Sequence, residues 1–339
     1  MSKDPFISII IVCYNYGHLL PRALEAISRQ DYKDYEIVFV DNGCTDNSLQ
    51  IMKDYSAAHL DTRTVFVKIE KNIGLPYGDN KGVEAASGKY LMFHDADDWM
   101  DDNALQLLAT TAIENDADRV ISAFRDVNEK GEVLQIQELG EEPNYWLYCL
   151  VQGNLFRADL YKRLGIKTET NSPDMEKTYW FSSGCGKVSY VFQPCYNMLI
   201  HNDSTSRMRN YYKSLLTDYR ASTVYLISLC CKRKPPKHHR DYHMAVYALT
   251  RLYYSHIFRF LRYAPLKDTL TIYSTLNKAM RMLVPDYMSC TATAIKNKKA
   301  TRPYGRRVAL LAYNLERYHL MKFALIIYHF LSKKIYFNE

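Results

Sequence analysis

The first third of the chain alternates two hydrophobic periods. Ile7 to Val12 is a continuous, largely β-branched run, the pattern of a strand covered on both faces. From His18 to Arg29 apolar residues recur at helical spacing, with Leu19, Ala23 and Ile27 on one face. The pattern then predicts a strand over Glu36 to Val40 and a helix capped by Thr45 or Asp46 that runs to about Ala57. A third strand follows over Thr64 to Ile69. A helix spans Leu75 to Ala86 despite Gly78 and Gly82, with Gly88 closing it. Tyr90 to Phe93 is a fourth strand, Asp101 or Asp102 caps a helix to about Asn115, and Arg119 to Ala123 is a fifth strand. Such alternation predicts an α/β fold with a mostly parallel sheet and helices on both faces.

From Asn144 to Ser206 the pattern is mixed. Beyond it the periodicity is helical: Tyr211 to Cys231, Arg240 to Tyr263, Pro265 to Leu283 and Arg306 to Leu331, with Lys232 to His239 as a linker. Pro265 suits a first helical turn, and Asp268 favours the dipole there. The expected organisation is a catalytic domain over residues 1–210 and a basic helical region over residues 211–339.

Composition refines this picture. Hydrophobic residues make up 47% and charged residues 24%, which fits a folded chain rather than a disordered one. Tyrosine is abundant at 29 residues and suits clefts and membrane edges, although codon bias explains it equally well. The net charge of +7 is uneven: residues 296–339 hold ten Lys or Arg against Glu316 and Glu339, so that segment is +8 and the remainder −1. A basic tail on a near-neutral body points to an anionic partner, a membrane surface before a nucleic acid, since no nucleic-acid module accompanies it. The eight cysteines lack metal-like spacing and read as reduced. There is no signal pattern and no apolar run of about 18 residues. A cytoplasmic protein, peripheral on the inner face of the membrane, is expected.

The chemistry sits at two strand ends, where ligands of open α/β sheets bind. Asp41 ends the second strand in VDNGCTDNS, and Asp95, Asp97 and Asp98 follow the fourth in FHDADD. Carboxylates crowded at a strand end call for a cation or donors, and hard oxygen ligands suit Mn²⁺ or Mg²⁺ with substrate phosphates. A lone DxD is more often a pair of helix caps, and Asp46 and Asp101 read that way. Two clusters at strand ends change the balance.

Four segments in order, ISIIIVCYNYGHLLPRALEAISRQDY, YEIVFVDNGCTDNS, KNIGLPYGDNKGVEAASGKYLMFHDADDWM and VFQPCYNMLIHNDSTSR, resemble a family-2 inverting glycosyltransferase of the GT-A fold. They span residues 6 to about 207. The resemblance implies a Rossmann-like domain with a nucleotide-sugar half (about 1–125) and an acceptor half (about 126–210). It further implies that Asp41 binds the nucleotide base, commonly uracil, and that Tyr14 and Asn15 line the nucleotide pocket. Asn72 belongs to the same cofactor-binding set. Asp97 would hold the metal, Asp95 the ribose or a metal-bound water, and Asp98 or Trp99 would line the sugar pocket. His201, or with less support Arg207, would stand near the phosphates.

Three positions depart from the family pattern. Asn42 replaces an aspartate, Cys44 a serine, and Gly78-Asp79-Asn80 replaces Ala-Arg-Asn, which removes a cation; Lys81 next to it points elsewhere on a helix. Inversion needs a base for the acceptor hydroxyl. The family's base position falls on Pro173-Asp174-Met175, so Asp174 is the candidate, with Glu169 and Glu176 as competitors and a solvated loop aspartate or N-cap as the plain reading. The function expected is transfer of a sugar from a nucleotide-sugar, commonly UDP-linked, to a saccharide or lipid-linked saccharide acceptor. The rival is a nucleotide-binding scaffold with lost catalysis. A nucleotidyltransferase is disfavoured, because CYNYGHLL is not a phosphate loop.

Overall fold

The computed structural model describes residues 4–141, 143–145, 148, 150–168, 173–201, 242–261, 265–296 and 303–336. The chain forms two compact units: Met1–Leu139 with Tyr148–Asn202, and Gly140–Leu147 with Asp203–Glu339. Glu169, Arg207, the helix expected over Tyr211 to Cys231 and the linker after it lie outside the described residues.

In the first unit the elements β1 (Ile7–Cys13), α1 (Leu20–Ser28), β2 (Tyr35–Asn42), α2 (Ser48–Ala58), β3 (Arg63–Ile69), α3 (Leu75–Ala85) and β4 (Tyr90–Phe93) follow the expected alternation closely. These four strands pair in parallel in the order β3-β2-β1-β4, so the strand order reverses at β1. The later half is mixed. It contains β5 (Trp99–Met100), α4 (Ala104–Glu114), β6 (Arg119–Val127), β7 (Val133–Gln137), β8 (Leu155–Arg157), α5 (Ala158–Arg163), α6 (Pro173–Ser182) and β9 (Val188–Leu199). The sheet continues β4-β8-β6-β9-β5, with β7 on β6. There β8 runs antiparallel to β4 and β6, β5 antiparallel to β9, and β9 parallel to β6. A short link explains only the β6–β7 pair, which is joined by a turn, because a parallel neighbour needs a crossover of roughly a dozen residues or more. Ile9, Ile11, Ile37, Phe39 and Met92 bury one sheet face against Leu24 and Ile27 of α1 and Leu105 of α4.

Gly78 and Gly82 let α3 approach the other face of β1. A methyl at Gly82 would stand 2.3 Å from Ile10 Cγ2, and one at Gly78 2.6 Å from Val12 Cγ1. The helix propensity lost at each, about 1 kcal/mol, is offset by this close packing.

Gly88 does not close α3: the helix ends at Ala86 in extended conformation, and the Gly88 N–H donates to Ser8 Oγ at 2.8 Å. Asp101 and Asp102 do not cap α4, whose N-cap position is Asn103 with no side-chain cap bond. Arginines take them instead, Asp101 pairing with Arg125 at 2.8 Å and Asp102 with Arg29 at 3.0 Å. Neither Thr45 nor Asp46 is the N-cap of α2, which is Asn47; Asp46 accepts the Ser48 N–H at 3.0 Å through one oxygen and the Gly17 N–H at 3.0 Å through the other.

The second unit contains α7 (Tyr242–Leu261), α8 (Leu266–Leu283), α9 (Tyr287–Lys296), α10 (Pro303–Arg317) and α11 (Met321–Tyr336). The hydrophobic pattern did not reveal α9, and the single helix expected over Arg306 to Leu331 is two. His319 adopts a left-handed φ of 57° and the Leu320 N–H reaches back to the Leu315 carbonyl at 2.7 Å, a C-terminal capping turn. Pro265 is the N-cap of α8 rather than its first residue. Among the described residues no helix is long and apolar enough to cross a membrane, and the described cysteines that are free thiols are Cys13, Cys44, Cys185, Cys195 and Cys290.

Glu316 of α10 is the polar node of this unit. It is 2% exposed, and it accepts hydrogen bonds from Tyr253 (2.6 Å) and Tyr254 (3.1 Å) of α7, Tyr287 of α9 (2.6 Å) and Asn277 of α8. Burial, and then the Glu316 charge, push the tyrosine hydroxyls well above their ordinary range, so they stay donors. Glu316→Leu strands three buried tyrosine hydroxyls and the half-buried Asn277 amide. We expect it to lower the stability of this unit by about 3–5 kcal/mol, read as a lower urea midpoint by circular dichroism. An unchanged midpoint rejects the node.

Candidate active site

Because β1, β2 and β4 are parallel neighbours, the loops after them gather at one end of the sheet, where the strand order reverses. The loops after β1 and β2 are stapled together. Asn15, in left-handed conformation (φ 60°), accepts the Thr45 N–H at 2.8 Å and donates to Thr45 Oγ1 at 3.2 Å. Beside it Tyr14 is 41% exposed. Asp41 pairs with Cys13 across the β1–β2 register, is buried, and accepts the Cys44 N–H at 2.8 Å through Oδ1. Cys44 directs its thiol to the Cys13 carbonyl at 3.3 Å.

Asn42 shows why an amide serves where a carboxylate was expected. It donates to Asn72 Oδ1 at 3.1 Å and accepts the Ile73 N–H at 3.2 Å, a two-way exchange that a buried ionised Asp could not make. Asn72 Oδ1 also accepts the Gly74 N–H at 2.8 Å. The structure therefore places Asn72 as a staple of the β3–α3 loop.

The second cluster follows β4. Carboxylate oxygens of Asp95, Asp97 and Asp98 lie within 4.8 Å of one another. Burial, then the charges of Asp97 and Asp174, drive the Asp95 carboxyl well above its ordinary range; burial, then Asp97 and Asp95, do the same to Asp98. Asp98 is turned inward, accepting the Leu199 N–H of β9 at 2.7 Å. Asp97 lies 2.9 Å from His201 Nε2. Arg22 of α1 donates to the Asp97 carbonyl at 3.3 Å and stacks on the Trp99 ring at 3.9 Å. His94, held neutral by burial that lowers it to about 4, packs on Tyr196, whose hydroxyl accepts the Asp95 N–H at 3.0 Å. An oxygen set this crowded, with burial opposing its ionisation, fits a hard divalent cation. Asp97 and Asp95 could offer oxygens to such an ion, whereas Asp98 is committed to β9.

Pro173 begins α6, as proline does at a first helical position, which puts Asp174 in the first turn. It is thus neither a loop aspartate nor an N-cap. Gln152 Nε2 donates to Asp95 Oδ2 at 3.0 Å and to Asp174 Oδ2 at 3.4 Å, so the two carboxylates share one amide. Gln152 pairs with Phe93, the last residue of β4, and the next residue must be glycine: Gly153 has φ 68°, and a Cβ there would stand 2.7 Å from Tyr196 Cβ. Sequence reasoning missed Gln152, Tyr196 and Arg22. Each acts through a contact distant in the chain, and the dipeptide Gln152-Gly153 was the only local signal. Lys81 pairs with Glu84 on the surface at 2.8 Å, away from the cluster as expected.

The family model for glycosyl transferase family 2 matches residues 8–175. Glycosyltransferase GlyA of Streptococcus pneumoniae serotype 4 is 28% identical over 231 residues, 61% of this chain and 32% of GlyA. The uncharacterized glycosyltransferase YibD of Escherichia coli K12 is 28% identical over 228 residues, 61% of this chain and 65% of YibD. The match thus spans about a third of the first relative and just under two thirds of the second. Among solved structures, S. aureus TarS 1–349 in complex with UDP-GlcNAc superposes with a TM-score of 0.65 at 17% identity, over 93% of this chain and 92% of that one. The fold is GT-A, a mixed α/β sheet with helices, and C-terminal helices are present as expected. From the acidic strand ends and the match over residues 8–175, the chain belongs to glycosyl transferase family 2.

Proposed function

We propose that the protein transfers a sugar, with inversion, from a UDP-sugar to a saccharide or lipid-linked saccharide acceptor, as in surface polysaccharide assembly. One observation carries this reading: Asp174 shares Gln152 with Asp95, which joins the candidate base to the DxD cluster at the switch point of the sheet. The scaffold alternative called for an Asp174 turned away from that cluster.

In this mechanism the second oxygen of Asp41 accepts the uracil N3–H, and the Tyr14-Asn15 loop covers the base. Asp97 and Asp95 would hold Mn²⁺ or Mg²⁺, which when bound would supply positive charge for the departing diphosphate, and His201 orients Asp97. Asp174 takes the proton of the acceptor hydroxyl as that oxygen attacks the anomeric carbon opposite the leaving group. TarS binds UDP-GlcNAc on the same fold, which favours testing uridine donors first. Calorimetry with Mn²⁺ should show UDP binding about tenfold or more tighter than ADP or GDP, the worth of roughly one well-placed hydrogen bond. Equal affinities reject the base assignment, and a nucleotide-sugar hydrolysis screen identifies the donor.

The membrane-surface reading rests on α11. Phe323, Ile327 and Phe330 recur at a spacing of four and three on one face of α11, Leu320 stands just before the helix, and all four are exposed. An apolar stripe within a segment of net charge +8 suits an anionic bilayer surface. Deleting residues 296–339 would also remove Glu316, so point changes are the cleaner test. Phe323→Ser with Phe330→Ser should weaken binding to phosphatidylserine vesicles about tenfold or more, and salt should weaken the intact protein's binding. Equal binding by the double variant excludes this face.

A further inference from the structure

Asp79 stands on the face of α3 where the family resemblance leads one to expect a cation. It is buried, and burial is the main reason its carboxyl is raised to about 6, with Lys177 opposing and Asp174 reinforcing the shift. The cation arrives from another element. Lys177 of α6 is 1% exposed, its Nζ lies 2.5 Å from Asp79 Oδ2, and it stands 4.1 Å from the centroid of the Phe93 ring. Lys177 follows Asp174 by three residues, one helical turn, and its Nζ lies 3.9 Å from Asp174 Oδ1. The two oxygens of Asp174 are therefore addressed from two sides, Oδ1 by the Lys177 cation and Oδ2 by the Gln152 amide. The next residue of α3 holds the chain leading to α6: Asn80 donates to the Thr168 carbonyl at 2.9 Å and accepts the Thr168 N–H at 3.0 Å.

A buried ion pair is weak evidence for stability, because desolvation cancels much of the attraction and apolar residues of like volume often serve as well. One lysine enclosed with Asp79 and Asp174, with Asp95 one amide beyond, is better explained by geometry than by stability. We infer that Lys177, oriented by Asp79, is a positioning residue that fixes the Asp174 carboxylate toward the acceptor side of the cluster. Asp79 and Asn80 thus take a role unlike that of an arginine in the same segment: they dock the helix that carries the base. The inference rests on the reading of Asp174 as that base.

Among the described residues, the charged groups recorded against Asp174 are Lys177, Asp79 and Asp95, and changing the first two shifts its titration in opposite senses. Asp79→Leu with Lys177→Met removes the pair together, which spares the fold an unpaired buried charge. This variant should keep UDP affinity within about twofold while kcat for UDP-sugar hydrolysis falls about tenfold or more, and the acidic limb of the pH profile should move up. Asp79→Asn releases Lys177 to Asp174 and should move that limb down. The Asp174 carboxyl carbon, read by ¹³C NMR of aspartate-labelled protein and assigned with Asp174→Asn, should titrate with the same two signs. Wild-type titration in both variants overturns the inference. Absence of wild-type turnover with UDP-glucose and UDP-N-acetylglucosamine counts against the donor reading instead, and the NMR titration still decides the role of Lys177.

Discussion

Asp174→Asn should cut turnover by about 10²–10⁴ while leaving nucleotide and Mn²⁺ binding nearly unchanged. A sugar hydroxyl is a poor nucleophile until a positioned group takes its proton, and such a group contributes roughly that factor. The carboxylates of the DxD cluster are poorly placed for this role. Asp97 is engaged by His201 and Asp98 by the Leu199 N–H, and in the proposed mechanism the charge of Asp95 would be committed with Asp97 to the cation on the leaving-group side. Asp174 reaches the Gln152 amide from α6, on the later part of the chain, and stays partly open with 31% of its side chain exposed. An amide at position 174 preserves shape and polarity but cannot accept the proton, so kcat should fall with KM for the donor little changed. Glu176→Gln and Glu169→Gln are the parallel controls. Wild-type turnover in Asp174→Asn removes it from the mechanism, and near-normal turnover in all three variants moves the acceptor site elsewhere.

The second large effect is expected at Asp97. Asp97→Asn should lower turnover by about three orders of magnitude, since charge stabilisation on the leaving group by a cation is worth several kcal/mol. A stability measurement gives a readout separate from activity. Asp95 and Asp98 are raised well above 3.8 in the folded state, so without a cation their contribution is fully present below that value and is lost as pH rises through their folded values. A divalent cation replaces the protons. The rise in melting temperature with Mn²⁺ should therefore grow as pH rises in the wild type, and stay small in Asp97→Asn. His94 has the opposite sign: lowered from 6.5 to about 4, it loses stability as pH falls through that interval, and keeping above pH 6.5 leaves it neutral in both states. A Mn²⁺ response in Asp97→Asn equal to that of the wild type, with full turnover, rejects the metal assignment.

The first four strands and the helices between them were legible in the residues because their signals are local. A β-branched run such as Ile7–Val12, a helical repeat of apolar residues and a carboxylate at a strand end each appear within a dozen positions. The placement of Asp41 and of the Asp95–Asp97 pair at one edge follows from parallel strands whose order reverses at β1, and their segments are continuous in sequence. The antiparallel return of β8 and β5, the loss of the α4 caps to Arg125 and Arg29, and the break at His319 carry no comparable pattern. Each depends on a partner distant in the chain or on one strained residue, and charged side chains take the partner that the fold supplies rather than the nearest backbone. The clearest case is the site itself. Asp79 and Lys177 are 98 positions apart, and Gln152 joins Asp95 to Asp174 across 57 and 22 positions. Residue types announce carboxylates. Packing of α3 and α6 at the end of β4 brings one buried cation and one amide between them, and proximity of that kind arises only when the chain closes on itself.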